Sequence, residues 1–404
     1  MASFAYEAYD ESGKQKKGSI DAENEAVARI ALKQQGLIVL NVTEQNMLTK
    51  DISFDIGGMP KARDYSVFCR QFVSMIRAGI SLLETLGMLE EQTENKKLAR
   101  AIRDTKQSVE KGESLTSSMQ AQGKVFPKLL CSMVEAGEAS GSIDIALERM
   151  AVHFEKDAKI KAMVKKAAIY PIVVCLVAIG VIIAMLTIVI PNFTSMFKDL
   201  NTELPAITVA VVTMSDFVRE EWLLLAIVAV GLIIGFGIFK STKVGEYFFA
   251  KLGITIPLFA ALTVKSSVAR FARTTSTLIG SGMSLIDALD ITADVMDNRL
   301  FADALRNCKE EVMQGVPLSV PLQQSGLFPP MAYHMTKIGE ETGNLEDLLN
   351  KLADYYEEEV EMATQSLMAA LEPMIIVVLA GIVIVLIGAC MAPMLTMYEG
   401  LDNL

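Results

Sequence analysis

The sequence predicts a mainly α membrane protein: two homologous helical bundles, three transmembrane helices and a small α/β N-terminal module. Three observations predict it. Residues 171–190, 223–239 and 374–391 form apolar runs without a charged residue. At ~1.5 Å per residue, helices of about 17–20 residues match a hydrocarbon core of roughly 30 Å. The second observation is an internal repeat, because Tyr170-Pro171 and Pro191 bracket the first run while Pro373 and Pro393 bracket the last at the same spacing, 202 residues on. The third is a change of period, from strand-like alternation near the N-terminus to helical spacing from Ala62 onward.

Residues 1–48 form the small module. Phe4, Tyr6 and Ala8 alternate, Glu11-Ser-Gly-Lys14 supplies a turn and residues 17–20 return, which predicts a hairpin. Ala26, Val27, Ile30 and Ala31 then predict a helix over 22–35, stopped by Gly36, before a β-rich 37–42; the order is ββαβ-like. Residues 49–61, with Gly57, Gly58 and Pro60, read as a linker. The first bundle occupies 62–170, and turns at Gly79, Asn95, Gly112, 123–127 and 137–142 divide it into about six short helices.

The second bundle, 240–372, repeats this punctuation. Arg70, Gly79, Ser81, Leu82, Leu86, Asn95, Arg103, Lys106 and Gly112 recur as Arg273, Gly282, Ser284, Leu285, Leu289, Asn298, Arg306, Lys309 and Gly315, an offset of 203. After a turn one residue longer in the first copy, Phe126-Pro127, Gly137-Glu138, Gly141 and Glu155 recur as Phe328-Pro329, Gly339-Glu340, Gly343 and Glu357 at an offset of 202. Turns are where packing tolerates such an indel. No strong breaker separates Ser142 from Pro171 or Asn344 from Pro373. Each helix is therefore expected to run from its bundle directly into the apolar run, with the proline kinking it or marking its entry into lipid.

Lysines and arginines in short flanks stay on the cytoplasmic side during insertion. Lys156, Lys159, Lys161, Lys165 and Lys166 precede the first span and only Lys198 soon follows it; Arg219 precedes the second, and Lys240, Lys243 and Lys251 follow. Both place residues 1–170 inside. With spans at 171–190, 222–239 and 373–393, residues 191–221 become an extracytoplasmic loop, 240–372 a second cytoplasmic domain and 394–404 an extracytoplasmic tail. The third span has no lysine or arginine near it, so its direction rests on counting crossings. Trp222 sits where an interfacial anchor belongs, and Gly231, Gly235 and Gly237 give the second span a face for close helix approach. The N-terminus lacks the basic region and apolar core of a secretory signal.

Composition excludes several classes. A net charge of −11, with no basic stripe interleaved with aromatics, argues against nucleic acid as a partner. Cys69, Cys131, Cys175, Cys308 and Cys390 are scattered and odd in number, which suggests small buried hydrophobes rather than disulfides or a zinc site. The Gly-Lys pairs at Gly13 and Gly123 lack the rest of a phosphate loop, so the chain itself should not hydrolyse nucleotide. With two histidines and no G-x-S-x-G or H-E-x-x-H, the usual hydrolytic and metal designs lose their base or ligands. No acidic residue lies inside a span, which counts against an intramembrane aspartyl protease or an ion carrier. No enzyme, metal or cofactor is expected.

What remains are interaction and structural candidates. In Gly137-Glu-Ala-Ser-Gly-Ser-Ile and Gly339-Glu-Glu-Thr-Gly-Asn-Leu, a helix end meets a helix start, with Ser142 and Asn344 as N-caps. Glu138 and Glu340 are expected to bond the repeated cations, Arg70 and Arg273 being the candidates, and so set the bundle's shape, with direct contact to a partner as the second reading. Glu357, Glu358, Glu359 and Glu361 form an acidic cluster, read first as a solvated helix face and second as a docking patch for a basic partner or a cation. Tyr170, Pro171, Glu372 and Pro373 mark the entries to the first and last spans.

Together, the Tyr-Pro entry, the Glu-Pro entry, the Gly-Glu-x-[ST]-Gly turn in each copy and the duplication resemble the GspF/PilC family. Those are inner-membrane platform proteins of type IV pili and type II secretion systems. The resemblance covers essentially the whole chain, with one local departure at Ala167-Ala168, where a larger apolar residue would be usual. It implies a cytoplasmic six-helix bundle per repeat, three spans, homo-oligomerisation, and contact with a hexameric ATPase, with pilin or pseudopilin subunits and with other inner-membrane assembly proteins. The implied function is coupling without catalysis, in pilus assembly or in a secretion platform that builds a pseudopilus. A membrane receptor or scaffold without an ATPase partner is the reading from another class.

Overall fold

The computed structural model describes residues 2–9, 15–22, 24–34, 38–44, 58–192 and 206–402. Two units divide the chain, Met1–Gly58 and Met59–Leu404. In the first, β1 (Ala2–Tyr9) is the central strand, paired antiparallel to β2 (Gln15–Ala22) and to β3 (Ile38–Glu44), with α1 (Glu25–Gln34) between β2 and β3. The pairing with β3 shifts register between Glu7 and Ala8. The expected turn at 11–14 and most of the expected linker, residues 49–57, lie outside the described residues.

The second unit is entirely helical among its described residues. The first copy comprises α2 (Ala62–Arg77), α3 (Leu82–Gln92), α4 (Lys96–Glu110), α5 (Leu115–Gln120), α6 (Lys128–Ser140) and α7 (Ile143–Ala184). The repeated residues act as its punctuation. Ser81 and Asn95 cap α3 and α4 with side-chain oxygens, and their equivalents Ser284 and Asn298 cap the matching helices of the second copy. Gly79 and Gly282 close the opening helices at φ of 82° and 87°, a conformation that a Cβ would strain.

The α7 helix does not stop at the proline. It passes through Pro171 to Ala184, takes a π turn at Met185–Val189, and belongs to a span-forming helix running over Ile143–Asn192. After α8 (Ala206–Glu220) come the second span α9 (Trp222–Ser241), then α10 (Lys243–Thr255). The second copy follows as α11 (Pro257–Gly280), α12 (Leu285–Asp294), α13 (Arg299–Met313), α14 (Ser319–Gln324), α15 (Pro330–Thr342) and α16 (Leu345–Asp402). Across α16 the chain stays helical through Pro373 for 58 residues, so positions 394–402, expected as a separate tail, continue the helix.

Two apolar cores interlock. Phe68, Phe72, Leu86, Leu98, Ile102, Leu130, Leu147 and Met150 form the first, joined by Leu278, Ala288 and Ile291 of the second copy. Phe271, Leu289, Phe301, Leu305, Phe328, Leu349 and Leu352 form the second, with Ile160 of α7 packed against it. Burying such side chains is the main source of stability, at about 1.5–3 kcal/mol each. The spans contrast with this: only 6%, 0% and 6% of their apolar windows are covered by protein, which leaves them for lipid or for other subunits.

Residues 191–221, expected as a loop, contain α8. Its Val211 packs with Leu186, Ile190, Leu386 and Ala389 of the first and third spans. Thr208 Oγ1 donates to the Ala389 carbonyl at 2.8 Å, and the Ser215 hydroxyl donates to the Leu186 carbonyl. The Leu186 bond lies within the π turn, where widened backbone leaves a carbonyl for an outside donor. Cys69, Cys131 and Cys308 are buried as expected, whereas Cys175 is exposed on the apolar surface of the first span.

Candidate functional site

The repeated Gly-Glu turns show what their residues do. A Cβ on Gly137 would meet Ala146 Cβ at 2.8 Å and Ile143 Cα at 3.0 Å; one on Gly339 would meet Leu345 Cα at 2.9 Å. Glycine therefore lets each helix end close onto the start of the next. Gly141 and Gly343 then turn the chain at φ of 69° and 68°, and the amides of Ser142 and Asn344 reach back to the carbonyls of Gly137 and Gly339. Ser142 makes no side-chain cap; its hydroxyl pairs with that of Ser140 at 2.6 Å.

Glu138 and Glu340 do not bond Arg70 and Arg273. Glu138 accepts from the Leu115 amide at 2.8 Å, the Thr116 amide at 3.0 Å and the Thr116 hydroxyl at 2.6 Å. Glu340 accepts from the amides of Leu318 and Ser319 at 2.5 and 3.1 Å. Each carboxylate thus binds amides at the start of a six-residue helix, α5 or α14, where free N–H groups and the helix dipole favour negative charge. Burial pushes the Glu138 carboxyl up, but the Thr116 hydroxyl and the Thr116 and Leu115 amides outweigh it and hold it below the usual range.

The arginines reach the long helices instead. Arg70 pairs with Glu155 on α7, and its equivalent Arg273 pairs with Glu357 on α16 at 2.8 Å. Arg273 also donates to Asp354 at 2.5 Å and to Asn350 Oδ1 at 3.1 Å. Burial alone would lower the Arg273 guanidinium; Glu357 and Asp354 raise it. Asp354 is likewise pushed up by burial and pulled down further by Arg273 and Lys156, ending low.

Around this pair the two long helices run side by side and are braced by charge. Arg149 pairs with Glu346 at 2.6 Å, Lys156 with Glu357 at 2.9 Å and Asp354 at 3.3 Å, and Lys159 with Glu361 at 3.7 Å. Both partner series ascend, so the helices are parallel. Arg270 on α11 adds a bond to Asp157 of α7 at 3.4 Å, and Lys128 on α6 reaches Asp294 of α12 at 2.7 Å. The first brace crosses Gly280, where a Cβ would overlap Arg149 Nη1 and Glu346 Oε1.

A family profile described as "Type II secretion system (T2SS), protein F" matches residues 68–191 and 271–393, and one described as "Type II secretion system protein F, N-terminal domain" matches residues 1–43. The chain belongs to the type II secretion system protein F family. Its two matched segments are the two copies, each including its braced helix and span. Among relatives, the type IV pilus assembly protein PilC of Pseudomonas aeruginosa is 39% identical over 90% of this chain and 96% of its own length. PilC of Thermus thermophilus is 34% identical over 98% of both chains, and the type II secretion system protein F of Vibrio cholerae is 30% identical over 98% of both. Family membership and three apolar helices make this an inner-membrane protein of a pilus or secretion assembly.

Within this family fold, the sequence-expected acidic cluster is not an open patch. Glu357, Glu359 and Glu361 are engaged by Arg273 and Lys156, by Lys265 at 2.5 Å, and by Lys159, respectively. Glu358 alone of the four is exposed and makes no ion pair among the described residues. Tyr170, Glu372 and Pro373 are exposed and Pro171 half-buried, all inside unbroken helix rather than at a boundary. Sequence reading missed Arg149, Lys156, Lys159, Glu346 and Asp354 as a set. A signal existed: at the 202 offset, Lys156 and Lys159 become Glu358 and Glu361, an inversion of charge along the same helix face. The described residues contain no cluster of metal-ligating side chains.

Proposed function

We propose that this chain is the non-catalytic platform of a type IV pilus assembly machine, coupling a cytoplasmic hexameric ATPase to extraction or insertion of pilin subunits. The observation that carries the reading is the pair of unbroken helices, Ile143–Asn192 and Leu345–Asp402, each leaving a folded bundle and ending in an apolar span. A helix transmits displacement along its axis because its hydrogen bonds lie within one segment. The ion pairs between the two helices make them move as one body. With residues 1–170 and the second bundle on the cytoplasmic side and the C-terminus outside, the ATPase meets the bundles and the spans meet the pilin's apolar helix. Further copies of this chain cover the exposed spans.

The pilus reading is supported by PilC relatives at 34–39% identity, against 30% for the Vibrio cholerae secretion protein. That secretion relative, matching as fully in length, keeps a pseudopilus-building export platform as the second reading. Co-purification of the full chain with candidate hexameric ATPases, joined to a pilus assay in a deletion strain, separates them. Recovery of a pilus ATPase and loss of pili support the proposal. Recovery of a secretion ATPase with normal pili moves the assignment to export, and recovery of no ATPase favours a receptor or scaffold.

A further inference from the structure

The corner where the second span leaves the membrane carries a feature unrelated to the braces. Thr242 Oγ1 accepts from the Gly245 amide at 3.1 Å and donates to the Phe239 carbonyl at 2.7 Å, which turns α9 directly into α10. A Cβ on Gly245 would overlap that carbonyl, so only glycine permits the fold-back. The chain then bends by 109° between α10 and the helix after it. With 13 residues, α10 is roughly 20 Å long and too short to cross a bilayer.

The faces of α10 differ. Ala250 is buried, and Phe249 stacks on Phe236 of the span with ring centroids 5.2 Å apart. Val244, Tyr247 and Phe248 point away from protein, at 72%, 51% and 52% exposure. A short helix with apolar residues uncovered at the end of a span suits the headgroup plane, with its apolar side turned to the acyl boundary.

Between α10, α7 and α11 is a cavity of about 860 Å³. Val164, Ala168, Phe249 and Leu262 give it apolar walls; Lys165 and Lys240 line it and make no ion pair among the described residues. Its other charges are largely neutralised: Lys161 and Arg270 share Asp157, Arg270 also takes Asp297, and Arg306 takes Asp294. Arg299 is held by Asp303, and Glu246 is the one lining carboxylate outside an ion pair among the described residues. Lys166, Lys243 and Lys251, outside the lining, also make no ion pair among the described residues. The braces, by contrast, use every cation they contain.

We propose that this cavity binds the headgroup of an anionic phospholipid from the cytoplasmic leaflet, with its phosphate between Lys165 and Lys240 and its acyl chains leaving along Val164, Ala168 and Phe249. Basic pockets beside membrane spans suit such headgroups. The unpaired lysines supply the attraction, and the uncovered face of α10 places the cavity at headgroup depth, where a lipid rather than a soluble anion is the abundant occupant. The site would tie the first long helix to the second span through a lipid.

Native mass spectrometry of the full chain, released from detergent with added phosphatidylglycerol or phosphatidylcholine, tests this. Wild type should hold phosphatidylglycerol under activation that strips phosphatidylcholine. The K165Q/K240Q pair should weaken that binding by about thirtyfold, as loss of two lipid-facing lysines implies. K165R/K240R should retain it, and the distant exposed pair K111Q/K124Q should leave it unchanged. Because the side chains of the replaced lysines make no ion pair or hydrogen bond among the described residues, melting temperatures should stay level across the set. Equal retention of both lipids, equal loss in the distant pair, or displacement of phosphatidylglycerol by millimolar inorganic phosphate would each overturn the proposal.

Discussion

The two copies share a fold but satisfy their charges differently. In the first, Arg77 at the end of the opening helix reaches Asp144 and Glu148 of its own long helix, at 3.3 and 2.5 Å. In the second, the equivalent position is Gly280, and Glu346, the counterpart of Asp144, is taken by Arg149 of the other copy. One arginine-to-glycine difference thus frees an acid and opens the space through which its new partner passes. The same contrast holds for the repeated Arg–Glu pair, with Arg70 and Glu155 each 61% exposed and Arg273 and Glu357 each 12% exposed. The two copies already meet through their interlocked apolar cores, and a few differences in charge add the braces between their long helices.

The largest effect that would break this comparison is on the shielded pair. Arg273→Ala leaves Glu357 and Asp354 without their guanidinium and should destabilise the protein by about 3 kcal/mol. Arg70→Ala removes a solvated pair and should cost less than about 1 kcal/mol. Denaturation of both variants in detergent checks the difference, and equal losses would show that burial does not separate the copies. Next come the glycines that the copies share. Gly137→Ala and Gly339→Ala force a Cβ into backbone and should each cost roughly 1–3 kcal/mol, alike in the two copies. A loss confined to one copy would show that the turns have diverged as the charges have.

A smaller effect sharpens the role of the Gly-Glu carboxylates. Glu138→Gln keeps the shape but removes the charge that faces the Leu115 and Thr116 amides, and should cost about 1 kcal/mol. The same melting experiment measures it. An unchanged midpoint would mean that shape alone holds α5.

Acid acts on both copies' carboxylates and on one histidine. Glu138 and Asp354 are held below their ordinary range in the folded protein. The stability they contribute is therefore present above the unfolded carboxylate range of about 4 and lost as pH falls through the folded values. His153 is pushed down to about 4, mainly by burial, and its Nδ1 finds no partner among the described residues although part of the residue stays accessible. The unfolded chain takes that proton first, so stability should start to fall below about pH 6.5 and keep falling to about 4. The residue at the equivalent position is Tyr355, so the two copies differ here as well. Replacing His153 with Phe should flatten the melting midpoint between these limits, and an unaltered slope would remove His153 from the pH response.

The repeat, the three apolar runs and the continuity of the long helices were legible because glycine, proline and long uncharged stretches act locally. The destination of a charge was not. Glu138 sits 23 positions from Leu115, and nothing in spacing says that α5 begins within reach of that carboxylate. Glu357 and Glu361 read as a solvated face because Lys156 and Lys159 come from the other copy, about 200 positions away, and Arg273, which also engages Glu357, lies 84 positions back. Residues 191–221 read as a loop because α8 has charged residues at its end, Asp216, Arg219 and Glu220, and lacks the length of a span; only its packing on the first and third spans gives its place. Cys175 was misplaced for a related reason, since apolar surroundings in a span mean lipid rather than core.

Joining of the two copies through their long helices is tested most directly by a charge swap at Arg149 and Glu346. In a strain lacking the protein, Arg149→Glu or Glu346→Arg alone should reduce surface pili, because two like charges would then meet over Gly280. The double exchange should restore them. Pili that persist in both single variants, or a double variant no better than the worse single, would contradict the brace.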